Sequence, residues 1–267
     1  MNKVPFALKK DTQIYVDVHD VERGLSCNCI CPSCDTPLIA KQGEDKAWHF
    51  AHATRGTSDQ TQQDCEYSFY VSVTQMAKQL FSELDCVKLL LPEYRYTVEH
   101  NQPNQFYSLS KKIIITKASS IELGIISIES KISRHHADVV GRVGEYPLII
   151  GFTHPEKQFL ADLVLLDGER AGIIVIDLTA TLSAFYEHME KGESTFKEEL
   201  VDYLFKDAEH MKWLYHPREN QKIEEAIQQL KQSSTNKCAG GDVSPSNESE
   251  KGDFIDRALS GFKLGRE

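Results

Sequence analysis

The chain has 267 residues, of which 40% are hydrophobic and 26% charged, and its formal net charge is −10. This composition excludes disorder for most of the sequence, and no apolar run approaches the roughly 18–20 residues that span a bilayer. The first ten residues lack the features of a secretory signal, so we expect a cytoplasmic protein with no membrane association. The negative charge argues against a generally basic nucleic-acid coat but leaves a local basic groove open.

Hydrophobic periodicity predicts the elements along the chain. Strands are predicted at 13–18, 86–98, 112–116, 123–132, 137–143, 147–152 and 171–178. Helices are predicted at 66–83, 156–166, 182–190, 195–215 and 217–232. Gly144-Glu145 is expected to form a hairpin turn, 233–252 a disordered linker and 253–264 a short amphipathic tail. This order indicates an α/β fold with a mixed sheet.

A cluster of cysteines points to a metal site near the N-terminus. Five of the seven cysteines lie in the first quarter of the chain, and cytosolic disulfides are rare. Cys31 and Cys34 form a C-x2-C pair, and His49 and His52 follow after fourteen intervening residues. A C-x2-C turn lets two thiolates converge, and two histidines three apart face the same way on a helical turn. The spacing therefore predicts a closed, structural zinc site formed by Cys31, Cys34, His49 and His52.

Three further cysteines keep the ligand set open. Cys27, Cys29 and Cys31 alternate, so their thiols fit one face of a strand, and one of them is an alternative to a histidine ligand. We expect Cys27 and Cys29 to be bystanders, and Cys65 is a weaker candidate still. The competing interpretation is that the two cysteines and two histidines never meet.

These residues resemble a known family. Cys31-Pro-Ser-Cys34, Leu38, Gly43 and His49-Phe-Ala-His52 resemble the amino-terminal motif of the competence protein CoiA-like family, which runs CPxC and then HFAH. Segments 128–140, 150–157 and 176–179 resemble later motifs of the family in the same order. The resemblance covers about residues 5 to 180.

The resemblance implies a restriction-endonuclease-like core of the PD-(D/E)xK type, in which carboxylates hold Mg²⁺ that polarises the phosphate and activates water. Asp138 matches the first acidic position. The next acidic position falls near Ile149, the lysine near Gly151 and a last glutamate at Val175, and none of these side chains binds a cation. A glutamate expected on the helix over 67–78 also has no match.

The predicted domains follow from this. They are a zinc-binding module (1–64), a nuclease-like α/β core (65–180), a helical extension (181–232) and a flexible linker with a short tail (233–267).

Two interpretations of the core remain open. In the first, the nuclease fold is kept and the chemistry is lost, so the protein binds nucleic acid or a partner. In the second, Glu129, Asp138, His154 and Lys157 form an unconventional Mg²⁺ site. The ordinary structural alternative is that Asp138 caps a turn and Glu129 forms an exposed pair with Lys131.

Basic residues collect around this candidate site. Of these we expect Lys131, Arg134 and Arg142 to contact nucleic acid. Ordinary solvated strand edges, where lysines discourage aggregation, explain the same residues equally well.

The leading functional hypothesis is therefore a zinc-containing, CoiA-like DNA-processing protein with a catalytically degenerate nuclease fold. The first alternative is an active Mg²⁺-dependent nuclease with displaced ligands. The second is a protein-interaction adaptor with no nucleic-acid role, which contacts a partner through the helices of 181–232 or the tail.

Overall fold

The computed structural model describes residues 3–44, 48–53, 65, 68–84, 86–101, 108–132, 135–158, 171–189, 194–238 and 262–266. The chain divides into two compact units. The first comprises 1–92 and 120–215, and the second comprises 93–119 and 216–267.

The strands are β1 (Phe6–Lys9), β2 (Tyr15–Asp17), β3 (Cys29–Ile30), β4 (Leu38–Lys41), β5 (His49–His52), β6 (Cys86–Leu91), β7 (Tyr94–Asn101), β8 (Ser108–Thr116), β9 (Ser119–Ile132), β10 (His135–Val143), β11 (Tyr146–Thr153), β12 (Gly172–Asp177), β13 (Met211–Tyr215) and β14 (Phe262–Arg266). The α-helices are α1 (Ser68–Ser82), α2 (Thr181–Met189), α3 (Phe196–Phe205) and α4 (Glu219–Cys238). Short 3-10 turns occupy Val18–Asp20 and Leu25–Cys27. The mixed α/β class predicted from the sequence is confirmed.

The first unit is built on a six-stranded mixed sheet in the order β13-β12-β11-β10-β9-β6. Strands β11 and β12 are parallel, and the pairs β9–β10, β10–β11 and β12–β13 are antiparallel. Ile150, Phe152, Ile174 and Ile176 are fully buried on one face, and Ile149 and Ile173 are buried on the other, as expected for strands covered on both faces. The predicted turn at Gly144-Glu145 joins β10 to β11, and Gly144 takes the left-handed conformation that such a turn requires.

The helices of this unit agree with the sequence in part. Val73, Met76 and Ala77 are completely buried on α1, which confirms the amphipathic helix predicted there. Helix α3 begins with a capping box in which Thr195 and Glu198 satisfy each other's backbone N–H groups. The helix predicted over 195–215 is wrong beyond Phe205, because Met211–Tyr215 forms an edge strand beside β12. The helix predicted at 156–166 falls mostly on 159–170, outside the described residues.

Strand β9 has an irregular backbone. Val140 pairs with Ser127 while Arg142 pairs with Gly124, so β9 carries one extra residue in this interval. Ile125 lies there with φ 51, and Glu129 has the same φ further along the strand. Extra residues of this kind bend a strand and re-aim its side chains.

The second unit contains a three-stranded antiparallel sheet in the order β14-β7-β8. Helix α4 packs on β7 and β8, and the Tyr94 hydroxyl donates a 3.0 Å hydrogen bond to the Glu219 carboxylate. The helix predicted at 217–232 is confirmed and extends to Cys238. The predicted amphipathic tail ends instead in strand β14, paired with β7, while 239–261 lie outside the described residues.

Within the described ranges, no helix is both long enough and apolar enough to cross a bilayer.

Candidate metal centre and the Asp138 site

Four side chains of the N-terminal region converge on one point. They are Cys31, Cys34, His52 and Cys65, whose potential ligand atoms all lie within 4.8 Å of one another. The Sγ atoms of Cys31 and Cys65 are 3.8 Å apart, and His52 Nε2 lies 3.5 Å from Cys34 Sγ and 3.4 Å from Cys65 Sγ. Cys31 and Cys65 are buried, so the cluster is partly shielded from solvent.

The turn after β3 explains how two of these thiols meet. The Asp35 N–H donates to the Cys31 carbonyl and the Cys31 N–H to the Thr36 carbonyl, and Asp35 takes φ 57 to close the turn. Backbone N–H groups of Ser33 and Cys34 point at the Cys31 sulfur. Burial nevertheless raises the pKa of the Cys31 thiol to about 11. Burial acts the same way on Cys34, but hydrogen bonds from Cys65 and Thr36 outweigh it and hold its pKa below the ordinary value.

The histidines occupy strand β5, paired antiparallel with β4. Side chains three positions apart on a strand point to opposite faces, so His49 and His52 cannot both face the thiols. His52 joins the cluster and His49 does not. The helical turn expected for His49-Phe-Ala-His52 is therefore wrong, and the structure puts Cys65 in the place predicted for His49.

The donor set fits a zinc ion. Tetrahedral bonds of about 2.3 Å to sulfur and about 2.0 Å to nitrogen place sulfurs about 3.8 Å apart and sulfur and nitrogen about 3.5 Å apart. The separations given above match these values. Burial lowers the pKa of His52, which favours the neutral ring that binds metal. Zinc held by Cys31, Cys34, His52 and Cys65 would be four-coordinate and would supply folding stability rather than chemistry.

Two other cysteines behave as buried thiols outside the cluster. Cys27 donates to the Leu38 carbonyl at 3.3 Å and Cys29 to the Cys27 carbonyl at 3.1 Å. Burial raises the pKa of Cys29 to about 12, so it carries its proton at neutral pH. Neither belongs to the group of four.

A second polar site lies on the six-stranded sheet, centred on Asp138 of β10. Lys157 Nζ is 2.6 Å and 2.8 Å from the two oxygens of Asp138, and Lys78 Nζ of helix α1 is 3.1 Å from Oδ1. The Phe152 N–H donates to Oδ2 at 2.9 Å. Burial opposes ionisation, but Lys157, the Phe152 N–H and Lys78 hold the pKa of Asp138 below its ordinary value.

Glu129 extends this network through Lys78. It accepts a 3.0 Å hydrogen bond from Lys78 Nζ, and the left-handed backbone of Glu129 aims its carboxylate there. Burial disfavours the ammonium, but Asp138 and Glu129 outweigh it and raise the pKa of Lys78. The order Glu129, Lys78, Asp138, Lys157 alternates in charge. Lys78 was not predicted from the sequence. The only indication of its role is its position at the border of the apolar face of α1.

A cleft of ≈350 Å³ lies beside this network. It is lined by Thr153, His154, Pro155, Lys157, Gln158, Val175, Asp177, Thr179 and Leu214. Parallel strands β11 and β12 both end at this point, which is where open α/β sheets usually bind ligands.

The remaining predicted residues are scattered. Lys131 and Arg142 are both exposed, but Lys131 pairs with His136 while Arg142 pairs with Gly124. Seven positions on β9 thus separate them, about 23 Å at 3.3 Å per residue. They form no compact basic patch with each other. Arg134 lies outside the described residues.

The positions at which the resemblance implies further acidic residues place no second carboxylate beside Asp138. Ile149 is buried in the apolar core, and Val175 lines the cleft with an aliphatic side chain. Among the described residues, the Cys and His cluster is the one group of three or more potential metal ligands that converges.

The thiols and the imidazole form a Cys/His cluster that could hold a metal ion in the N-terminal region of an α/β chain. Residues 19–66 match the model of the family described as competence protein CoiA, N-terminal domain. The resemblance drawn from the sequence is confirmed for this stretch, which contains Cys31, Cys34, His52 and Cys65. No curated protein matches the chain. No solved structure matches it either.

Proposed function

We propose that the chain is a competence-related protein that binds DNA on a nuclease-like α/β core without metal-dependent cleavage, and that zinc stabilises its N-terminal module. The observation that carries the proposal is the double lysine pairing of Asp138. In a nuclease of the PD-(D/E)xK type this carboxylate would hold Mg²⁺. Here Lys157 contacts both of its oxygens and Lys78 contacts one.

Electrostatics supports the loss of metal. Mg²⁺ takes oxygen ligands at about 2.1 Å and is bound through one or two carboxylates. Two ammonium groups beside Asp138 repel such an ion and already neutralise the carboxylate. The aliphatic residues at positions 149 and 175 offer no replacement ligand.

A DNA ligand is supported by the family match and by the charges near the cleft. The matched domain is named for a competence protein. Lys157 lines the cleft, and Lys131 is exposed on β9 towards the same end of the sheet, whereas the exposed Arg142 lies at the other end, opposite Pro147. Contacts from such residues to phosphates give sequence-independent, salt-dependent binding. The thiol-rich metal cluster is consistent with a reducing compartment, so we place the protein in the cytoplasm.

The test measures cleavage and binding on the same preparations. Wild type and Asp138→Ala are incubated with DNA and Mg²⁺ or Mn²⁺, and we expect no cleavage above background in either. DNA affinity is then measured by fluorescence anisotropy over a range of salt concentrations, and log affinity should fall linearly with log salt. Adding Mg²⁺ at constant ionic strength should not strengthen binding.

Two results would overturn the proposal. Metal-dependent cleavage that Asp138→Ala abolishes would establish the active nuclease with displaced ligands. An absence of salt-dependent DNA binding would favour the adaptor, which uses the C-terminal helices or the tail to contact a protein partner.

A further inference from the structure

The cleft at the ends of β11 and β12 is shaped by a tight turn. His154 and Lys157 exchange two backbone hydrogen bonds, of 3.0 Å and 2.9 Å, around Pro155 and Glu156. Proline at the second position presets the backbone of such a turn. The turn therefore brings the side chains of His154 and Lys157 next to each other at the cleft.

Both side chains offer hydrogen-bond donors. An ammonium group has three N–H bonds, and within the described part of the chain Asp138 uses two of those on Lys157. Burial lowers the pKa of His154, so its ring is neutral. His154 Nδ1 accepts a long contact from the Glu156 N–H, which leaves the proton on Nε2. The pair thus presents a cationic and a neutral donor side by side.

The opposite wall offers an acceptor. Asp177 ends β12, and its Oδ1 accepts from the Thr179 N–H at 2.9 Å and from the Thr179 hydroxyl at 2.6 Å. These contacts fix the carboxylate at the cleft. Both use Oδ1, so within the described part of the chain Oδ2 can accept a hydrogen bond from a ligand. Asp177 repels an anion. A ligand that fits must therefore carry its negative charge next to Lys157 and a hydrogen-bond donor next to Asp177.

Tyr70 of helix α1 holds the two walls together. Its ring stacks on His154, with centroids 5.3 Å apart and planes 2° from parallel. Its hydroxyl donates to the Thr179 carbonyl at 3.2 Å. One side chain thus contacts both walls, so the donors and the acceptor are positioned before a ligand arrives.

We propose that this cleft binds one nucleotide of single-stranded DNA, with its phosphate on Lys157 and His154 and a base N–H on Asp177. The inference rests on the proposed function and names the part of the DNA that this site takes. The volume of ≈350 Å³ is at the small end of ligand cavities, which suits a single nucleotide. Val175, Leu214 and Pro155 supply the apolar surface for the base or sugar.

The test is competition against a fluorescent oligothymidylate on the full-length protein. Unlabelled dTMP should displace it, while thymidine and inorganic phosphate should each be at least about tenfold weaker, because each lacks one half of the contacts. Lys157→Met should weaken dTMP at least tenfold. Val175→Phe, which fills the cleft and changes no charge, should abolish competition by dTMP.

Lys88→Met is the matched control, because Lys88 is an exposed lysine on β6, at the opposite edge of the same sheet. It should leave dTMP competition unchanged. Circular dichroism and zinc content of each variant establish that it is folded.

Two results would count against the cleft. If oligothymidylate binds in a salt-dependent way but dTMP does not compete, or Val175→Phe binds dTMP like wild type, the inference fails and the proposed function stands. If neither oligothymidylate nor dTMP binds, the inference about the cleft and the proposed function both fail.

Discussion

Lys157 donates to both carboxylate oxygens of the buried Asp138, at 2.6 Å and 2.8 Å. The side chain of Asp138 is only 7% exposed, and that of Lys78, its second cationic partner, is 10% exposed. A buried carboxylate with two ammonium partners is a structural unit, because removing one charge leaves the others unpaired in a medium of low dielectric.

The first prediction concerns the stability of this network. Asp138→Asn removes the shared counter-ion of Lys78 and Lys157, so we expect a loss of about 3–5 kcal/mol in the free energy of unfolding. Glu129→Gln is the matched comparison, because Glu129 is 61% exposed and an exposed pair contributes at most about 1 kcal/mol. Urea denaturation measures both. Equal losses of stability in the two variants would show that Asp138 contributes no more to the network than Glu129 does.

The second prediction separates the two candidate ligand sets of the metal centre. Cys65→Ser should lose bound zinc as completely as Cys31→Ser, whereas His49→Ala should retain one equivalent. Cys27→Ser is the control for a buried thiol outside the cluster, and it should also retain zinc. Elemental analysis of the purified variants gives the stoichiometry. Zinc retained in Cys65→Ser and lost in His49→Ala would restore the set predicted from spacing.

The third prediction concerns removal of the metal. A chelator should destabilise the N-terminal module, because zinc in a closed Cys and His site supplies folding free energy. Amide hydrogen exchange should then accelerate across β3, β4 and β5. Strands β7 and β8 of the second unit serve as the internal reference and should keep their protection. Uniform acceleration across both units would mean that the metal does not act locally.

The fourth prediction tests the bulge in β9. Ile125 is 75% exposed and has φ 51, a conformation that costs a β-branched residue roughly 1–2 kcal/mol. Glycine removes this strain at an entropic cost of roughly 0.5–1 kcal/mol, so Ile125→Gly should stabilise the protein by about 0.5–1 kcal/mol. Ile125→Ala keeps the Cβ atom and should not stabilise. Thermal unfolding of the two variants makes the comparison, and a loss of stability in Ile125→Gly would contradict the strain.

The sequence predicted what depends on local pattern. The CPxC turn, the alternating strands and the apolar face of α1 all follow from short-range spacing. His49 and Met211–Tyr215 were misassigned because a short stretch with several aromatic and apolar residues satisfies both helical and strand spacing. For Met211–Tyr215, backbone pairing with β12 stabilises the strand over the helix. Lys78 was missed, and Cys65 was ranked as the weakest candidate ligand, because each reaches its partners across the fold, which no spacing rule encodes.

The fifth prediction concerns pH and His19. A hydrogen bond to Asp17, 2.7 Å long, raises the pKa of His19, with burial opposing it and the charges of Asp17, Asp20 and Glu198 adding to it. A raised folded-state pKa means that the stabilisation is complete below the unfolded value of about 6.5 and is lost as pH rises through the folded value. The difference in stability between wild type and His19→Gln should therefore shrink above about pH 6.5.

Trp48 reports this titration directly. The rings of His19 and Trp48 are stacked with centroids 5.0 Å apart, so protonated His19 should quench the indole fluorescence. We expect wild-type fluorescence to rise with pH around a midpoint above about 6.5 and to stay flat in His19→Gln. Trp213 is buried in β13 and contributes equally to both proteins, so it cancels in the comparison. A midpoint at or below 6.5 would show that Asp17 does not hold the imidazolium.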